Sequence, residues 1–175
     1  MMWLFLIAFV AIASILSVQF FNILIRHHPP LISTPAIVRQ RIMQEISLQP
    51  HEVFYELGSG KALLLNELAK LYPDNSFAGI DYALVPYALS LLKRLTSNNA
   101  VILRRQNCLK TDIRKASYIY CYLNIHLMDA LAEKFQRECT KGTIIISYIF
   151  ILPNFQLFKS VKVEGYGTIY FYRIS

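Results

Sequence analysis

The chain opens with an apolar run, and a second, alternating pattern follows it. From Met1 to Ile25 no charged residue occurs, and the few polar positions (Ser14, Ser17, Gln19, Asn22) do not gather on one side of a helix. A helix apolar all round is buried or spans a membrane, and about 20 such residues cross a bilayer core. This pattern predicts one transmembrane helix over residues 1–25. Pro29, Pro30 and Pro35 then stiffen a linker, because proline fixes φ and restrains the residue before it. A short amphipathic helix is expected from Ala36 to Ile46, with Ile37, Met43 and Ile46 among its buried positions. Beyond Glu52, short apolar runs alternate with helical spacing. Strands are predicted at Val53–Leu57, Ser76–Ile80, Ala100–Leu103, Ser117–Leu123, Thr143–Ile151, Ser160–Val163 and Thr168–Ile174. Helices are predicted at Ala62–Leu71, Val85–Leu95 and Met128–Cys139. Strands separated by helices pair in parallel. The last two, joined through Gly165-Tyr-Gly167, pair antiparallel as a hairpin. The expected fold is therefore α/β: a doubly wound, Rossmann-like, mostly parallel seven-stranded sheet with an antiparallel C-terminal hairpin, preceded by one transmembrane helix. Its expected segments are an anchor over 1–25, a linker with an N-terminal helix over 26–50, and the α/β domain over 51–175.

Charge adds an orientation. The net charge of +7 falls entirely after residue 25, beginning with Arg26, Arg39 and Arg41. A cleaved signal peptide would carry positive charge before its apolar core and a small-residue cleavage site after it. Here Arg26-His-His-Pro-Pro30 follows the run, so a retained anchor is favoured. The positive-inside rule places the α/β domain in the cytoplasm, or on the matrix side of an organelle. Cys108, Cys121 and Cys139 have neither zinc spacing nor disulfide pairing, which suits a reducing compartment. A basic stretch runs through Lys93, Arg94, Arg104, Arg105, Lys110, Arg114 and Lys115. It could line a nucleic-acid surface, but beside an anchor the favoured partner is anionic lipid. The oligomeric state stays open, although Gln19 and Asn22 could pair two anchors.

Candidate chemistry gathers where the strands end. In open parallel sheets, ligands bind outside the carboxyl ends of the strands. The first strand delivers Glu56-x-Gly58-Ser59-Gly60-x-Ala62. Glycine permits a tight turn and close approach to a ligand, and the amides opening the next helix can hold a carboxylate. A dinucleotide fingerprint needs glycine at the sixth position, and Leu63 stands there. An acid just before the glycines would repel a pyrophosphate but suits an ammonium group. S-adenosylmethionine carries an ammonium and a sulfonium. The second strand ends at Asp81, where an acid can take the two ribose hydroxyls, and the next residue, Tyr82, is a further candidate cofactor contact. After the third strand, the Asn107 amide oxygen is a candidate for the adenine amino group and the Cys108 amide for the ring. Tyr122, Asn124 and His126 follow the fourth strand. Tyr122 or Asn124 is the candidate to orient an attacking amine, with His126 a lesser candidate base. His27 and His28 read as interfacial residues rather than metal ligands.

From Val53 to the C-terminus the chain resembles the class I S-adenosylmethionine-dependent methyltransferases, on the glycine loop paired with Gly79-Ile80-Asp81. It more narrowly resembles the small membrane-anchored protein-lysine methyltransferases, which include the enzymes that methylate the ATP synthase c-subunit. That resemblance rests on an N-terminal apolar segment, then Ser33-Thr34-Pro35, then Val53-Phe-Tyr-Glu-Leu-Gly-Ser-Gly60. It implies S-adenosylmethionine as cofactor, a protein lysine as acceptor, and Thr34 near the cofactor pocket, although position 34 also reads as a helix cap before proline. Three positions and one stretch depart from the family pattern. Ala62 stands where a glycine is usual, Lys61 where an acid is usual, Asn107 near the place of an acid, and the stretch from Tyr122 to His126 lacks the usual proline. Methyl transfer to lysine of a membrane or membrane-proximal protein is the expected function. Transfer to a small or lipid-like molecule, and a catalytically degenerate membrane-tethered binding module, are the alternatives.

Overall fold

The computed structural model describes residues 33–83 and 101–175, Tyr87, and positions 3, 5–7, 9, 10, 13, 14 and 17. The chain divides into two compact units, residues 1–32 and 33–175. In the first, the described residues are helical, and Trp3, Phe5, Leu6, Ile7, Phe9 and Val10 are exposed. Among the described residues no helix is long and apolar enough to cross a membrane. Most of the span expected over 1–25 lies outside them. So does the helix expected at Val85–Leu95, apart from a helical Tyr87.

The second unit is built on α1 (Ala36–Glu45), β1 (Val53–Leu57), α2 (Leu63–Leu71), β2 (Ser76–Asp81), β3 (Val101–Arg105), a 3₁₀ turn at Cys108–Lys110, β4 (Tyr118–Cys121), α3 (Ile125–Glu138), β5 (Ile144–Tyr148), β6 (Leu157–Val163) and β7 (Gly167–Arg173). The strands form one seven-stranded sheet in the order β3-β2-β1-β4-β5-β7-β6. The first five pair in parallel, and β7 runs antiparallel between β5 and β6. Chain order reverses between β1 and β4, which makes their carboxyl ends the crevice of a doubly wound sheet.

Alternation along the strands sorts side chains to two faces. Phe54, Tyr120, Ile146 and Tyr148 share a core with Val38 and Ile42 of α1 and Leu64, Leu65 and Leu68 of α2. Leu57, Ile119, Cys121 and Ile145 share the other with Leu131 and Phe135 of α3. Glu56 is a buried polar side chain on the first face. It lies in register with Gly79 on one side and Tyr120 on the other.

Several elements differ from the sequence reading. In α1 the inward residues are Val38 and Ile42, while Ile37 is exposed and Met43 half-buried. Arg39 turns toward α2, and that rotation sends Ile37 out. Leu71 is exposed at the end of α2. β5 stops at Tyr148, three residues early, because Ile149 adopts φ +70° and donates its N–H to the Thr168 carbonyl at 2.9 Å. β4 stops at Cys121, and Leu123 turns in against the glycine loop. α3 begins three residues early, at Ile125, because Asn124 caps it. α1, expected as part of a linker segment, belongs to the same unit as the sheet.

Candidate active site

The glycine loop leaves β1 at the crevice. Gly58 takes φ +76°, and a Cβ there would stand 2.5 Å from Leu123 Cδ2. Its amide and that of Ser59 donate to the Ile80 carbonyl at 2.8 and 3.0 Å, tying the turn to β2. Gly60 takes φ +52°, and among the described residues nothing lies within 4 Å of where its Cβ would be. The first glycine is thus demanded by packing, and the second is crowded by no described residue. Ala62, where the resembled family has glycine, also takes a left-handed conformation with φ +51°. That conformation costs an L-residue roughly 1–2 kcal/mol, offset in part by complete burial of the Ala62 methyl. Ser59 is buried, with its Oγ 2.9 Å from where a Cβ on Gly79 would be.

Two carboxylates flank this loop. Asp81 ends β2, half-buried, and each of its oxygens accepts a backbone N–H: Oδ2 from Gly60 at 2.8 Å and Oδ1 from Ala83 at 2.9 Å. It therefore shapes the loop directly, and carboxylate oxygens retain further lone pairs. Glu56 is buried, and its Oε2 has no hydrogen-bond partner among the described residues. Burial pushes its carboxyl up to about 8, and the Asp81 charge adds to the shift. Arg39 and the Leu65 amide oppose it, while Glu67 reinforces it. A buried, half-satisfied carboxylate is costly in a core, which marks Glu56 as a candidate functional group.

The remaining predicted residues fall around the same end of the sheet. Thr34 is not a helix cap: Pro35 occupies the cap position without a side-chain bond. Instead the Thr34 hydroxyl lies 2.7 Å from the Tyr120 hydroxyl in the core. Tyr82 is half-exposed after β2, and its carbonyl accepts from Arg105 Nε at 3.3 Å. Asn107 caps the 3₁₀ turn, and its amide oxygen, the atom expected to meet adenine, already accepts from the Leu109 N–H at 2.9 Å. Cys108 opens that turn, half-buried, and burial raises its thiol above the ordinary range. Tyr122 is half-buried and packs on Tyr148 with ring centroids 4.7 Å apart. Asn124 Oδ1 accepts from the Leu127 N–H at 3.0 Å as the cap of α3, and His126 is exposed in the first turn. Residues missed in the sequence are Arg39, Glu67 and Tyr120, which come from three separate elements, are tied together through Thr34 and Arg39, and lie within electrostatic reach of Glu56.

The cap on α3 gives one prediction. Asn124→Ala should lower stability by about 1 kcal/mol in a urea melt, whereas Asn124→Ser should retain most of it. A Ser variant that is stable yet inactive would give Asn124 a role in the reaction beyond the cap.

Groups of His, Cys, Asp or Glu able to hold a metal are absent among the described residues. The residues fit S-adenosylmethionine on three counts. A buried carboxylate oxygen is left for an ammonium, no described residue crowds the Cβ position of Gly60, and an acid stands at the end of β2. A protein-lysine N-methyltransferase of Saccharolobus islandicus is 22% identical over 152 residues, covering 84% of this chain and 94% of its own. An RNA methyltransferase from Salinibacter ruber, solved with S-adenosyl-L-homocysteine, superposes with a TM-score of 0.74 at 22% identity, over 82% of this chain and 94% of its own. A precorrin-6y C5,15-methyltransferase from Geobacter metallireducens follows at 0.64 and 15%, over 81% and 87%. These structures share the fold, and the sequence of residues 56–159 matches the ANTKMT methyltransferase domain. With the sheet order, the glycine loop and its two acids in place, the chain belongs to the ANTKMT methyltransferase domain family and is a class I S-adenosylmethionine-dependent methyltransferase.

Proposed function

We propose that this methyltransferase acts on lysine side chains of a membrane or membrane-proximal protein. The observation that carries the acceptor is the similarity, over 84% of the chain, to a protein-lysine N-methyltransferase. The uncharged run from Met1 to Ile25 supports a membrane setting, with that run as anchor and the α/β domain on the cytoplasmic or matrix side. Bound S-adenosylmethionine supplies an electrophilic methyl group; the chain's part is binding, alignment and exclusion of water. Glu56 pairs with the ammonium of the amino-acid end, and Asp81 takes the ribose hydroxyls while holding the Gly60 amide. Gly58, Ser59 and Gly60 let the main chain approach, Tyr82, Asn107 and Cys108 border the adenine side, and Thr34 closes the pocket from the segment before α1. Tyr122 and Asn124 stand at the end of β4, where an incoming amine would be oriented. Free lysine has a pKa of about 10.4, and a desolvating pocket lowers it. Alignment of the two reactants contributes up to roughly 7–11 kcal/mol, so no strong base is required of the chain.

The test is transfer of radiolabelled methyl from S-adenosylmethionine to a membrane extract by the full chain. Label in protein that survives acid hydrolysis as methyl-lysine is expected. Label in extractable lipid or solute would replace the lysine reading with a small-molecule one. No label, with cofactor binding intact, would favour the binding module.

A further inference from the structure

Glu56 is ringed by groups that lie outside the glycine-loop motif. Tyr120, its register partner on β4, is buried, and its hydroxyl meets Thr34 Oγ1 at 2.7 Å. Arg39 on α1 donates from Nη1 to the Thr34 carbonyl at 2.7 Å. The same guanidinium grips Glu67 of α2 with two prongs, Nε to Oε2 at 2.9 Å and Nη2 to Oε1 at 2.8 Å. One side chain thus joins the segment Ser33–Pro35, helix α1 and helix α2, the helix that follows the glycine loop. An exposed ion pair would contribute little, but the Arg39 side chain is only 12% exposed. Its planar fork satisfies a carboxylate and a main-chain carbonyl together, which a lysine ammonium cannot match. The local needs of α1 do not account for this, since Thr34 lies before the helix and its hydroxyl reaches across to β4.

We propose that Arg39 is a positioning residue for the methyl donor: it ties the Ser33–Pro35 strap to the helix behind the glycine loop and so holds Thr34 against Tyr120, the neighbour of Glu56 across the sheet. This rests on the reading of Glu56 as partner of the cofactor's ammonium. Glu56 faces Asp81 from β2, Arg39 from α1, Glu67 and the Leu65 amide from α2, and Tyr120 from β4. Asp81 and Glu67 disfavour its ionised form; Arg39 and the amide favour it. Tyr120 stays neutral, its hydroxyl raised well above the ordinary range by burial. Without Arg39, burial, Asp81 and Glu67 are opposed among these groups by the Leu65 amide, and Glu56 ionises only at higher pH.

The experiment titrates S-adenosylmethionine into the full-length protein by calorimetry between pH 6.5 and 9, with urea melts alongside. Arg39→Lys retains the charge and loses the fork. It should weaken binding by about tenfold, leave the pH of half-maximal affinity unchanged, and raise KM for the cofactor with kcat largely kept. Arg39→Ala should weaken binding further and move that pH upward. Arg39 variants that bind like wild type while Glu56→Gln loses binding would overturn the clasp and leave the site reading intact. A Glu56→Gln variant that binds like wild type would overturn the site reading itself. Arg39→Lys that melts early but binds normally would reduce Arg39 to a packing role and overturn the proposal as well.

Discussion

Gly60→Ala is expected to give a folded protein that does not bind S-adenosylmethionine, while Gly58→Ala is expected to give a protein that folds poorly. The two glycines sit two residues apart in one loop, and their surroundings differ. At Gly60 the added methyl meets no described residue within 4 Å, so its cost against them is the left-handed backbone alone, roughly 1–2 kcal/mol. The methyl would, however, project into the space where the main chain must approach the ligand. A misplacement of about 1 Å at such a point costs on the order of a hundredfold in rate, and binding should fall at least as far. At Gly58 the same backbone cost is joined by a contact of 2.5 Å with Leu123. Leu123 is itself buried among the residues beneath α3. Overpacking of that kind adds roughly 1–3 kcal/mol, so the total, about 2–5 kcal/mol, is a large part of a domain's stability. Urea melts and calorimetry on both variants check the pair. Intact cofactor binding in Gly60→Ala would move the cofactor away from the loop.

These positions also show how much of the molecule could be read from its sequence. The strand-loop-helix around Glu56 was legible because its signals are local: an apolar run, glycines, then helical spacing. The same holds for β2 with Asp81 and for the closing hairpin. Element ends were less legible where a single residue decides them. Ile149 reads as a strand residue by propensity, yet the turn toward β7 sets its φ positive. Asn124 reads as a candidate for the reaction, yet a short polar side chain before a helix also caps it, and the structure shows the cap. The clasp on Glu56 could not be read at all. Thr34 and Tyr120 are 86 residues apart, and Arg39 and Glu67 are 28 apart. No local pattern distinguishes an arginine on an amphipathic helix that meets solvent from one that meets a neighbouring helix. Ile37 was misplaced for the same reason: which stripe of α1 turns inward depends on where Arg39 finds its partners.

Glu56→Gln is expected to abolish cofactor binding while removing a pH-dependent weakness of the cofactor-free protein. In the folded protein the Glu56 carboxyl is raised to about 8, against an ordinary value of 4.5. Between those values the unfolded chain has released the proton and the folded chain still holds it. The unfolded state therefore binds fewer protons, and stability falls as pH rises through this window. Below about pH 4.5 the group contributes no penalty; by about pH 8 the penalty is fully developed and amounts to a few kcal/mol. Glutamine does not titrate, so urea melts of the variant should lack this component of the slope between pH 5 and 8. The cofactor reverses the sign. An ammonium beside Glu56 favours the ionised carboxylate, so binding at pH 7 should expel most of one proton from the wild-type protein. Calorimetry in buffers of different ionisation enthalpy measures that release directly. The variant should show neither the release nor measurable binding. A wild-type protein that binds S-adenosylmethionine with no proton released at pH 7 would mean that Glu56 is already ionised, and its partner would then have to be sought in Arg39 rather than in the ligand.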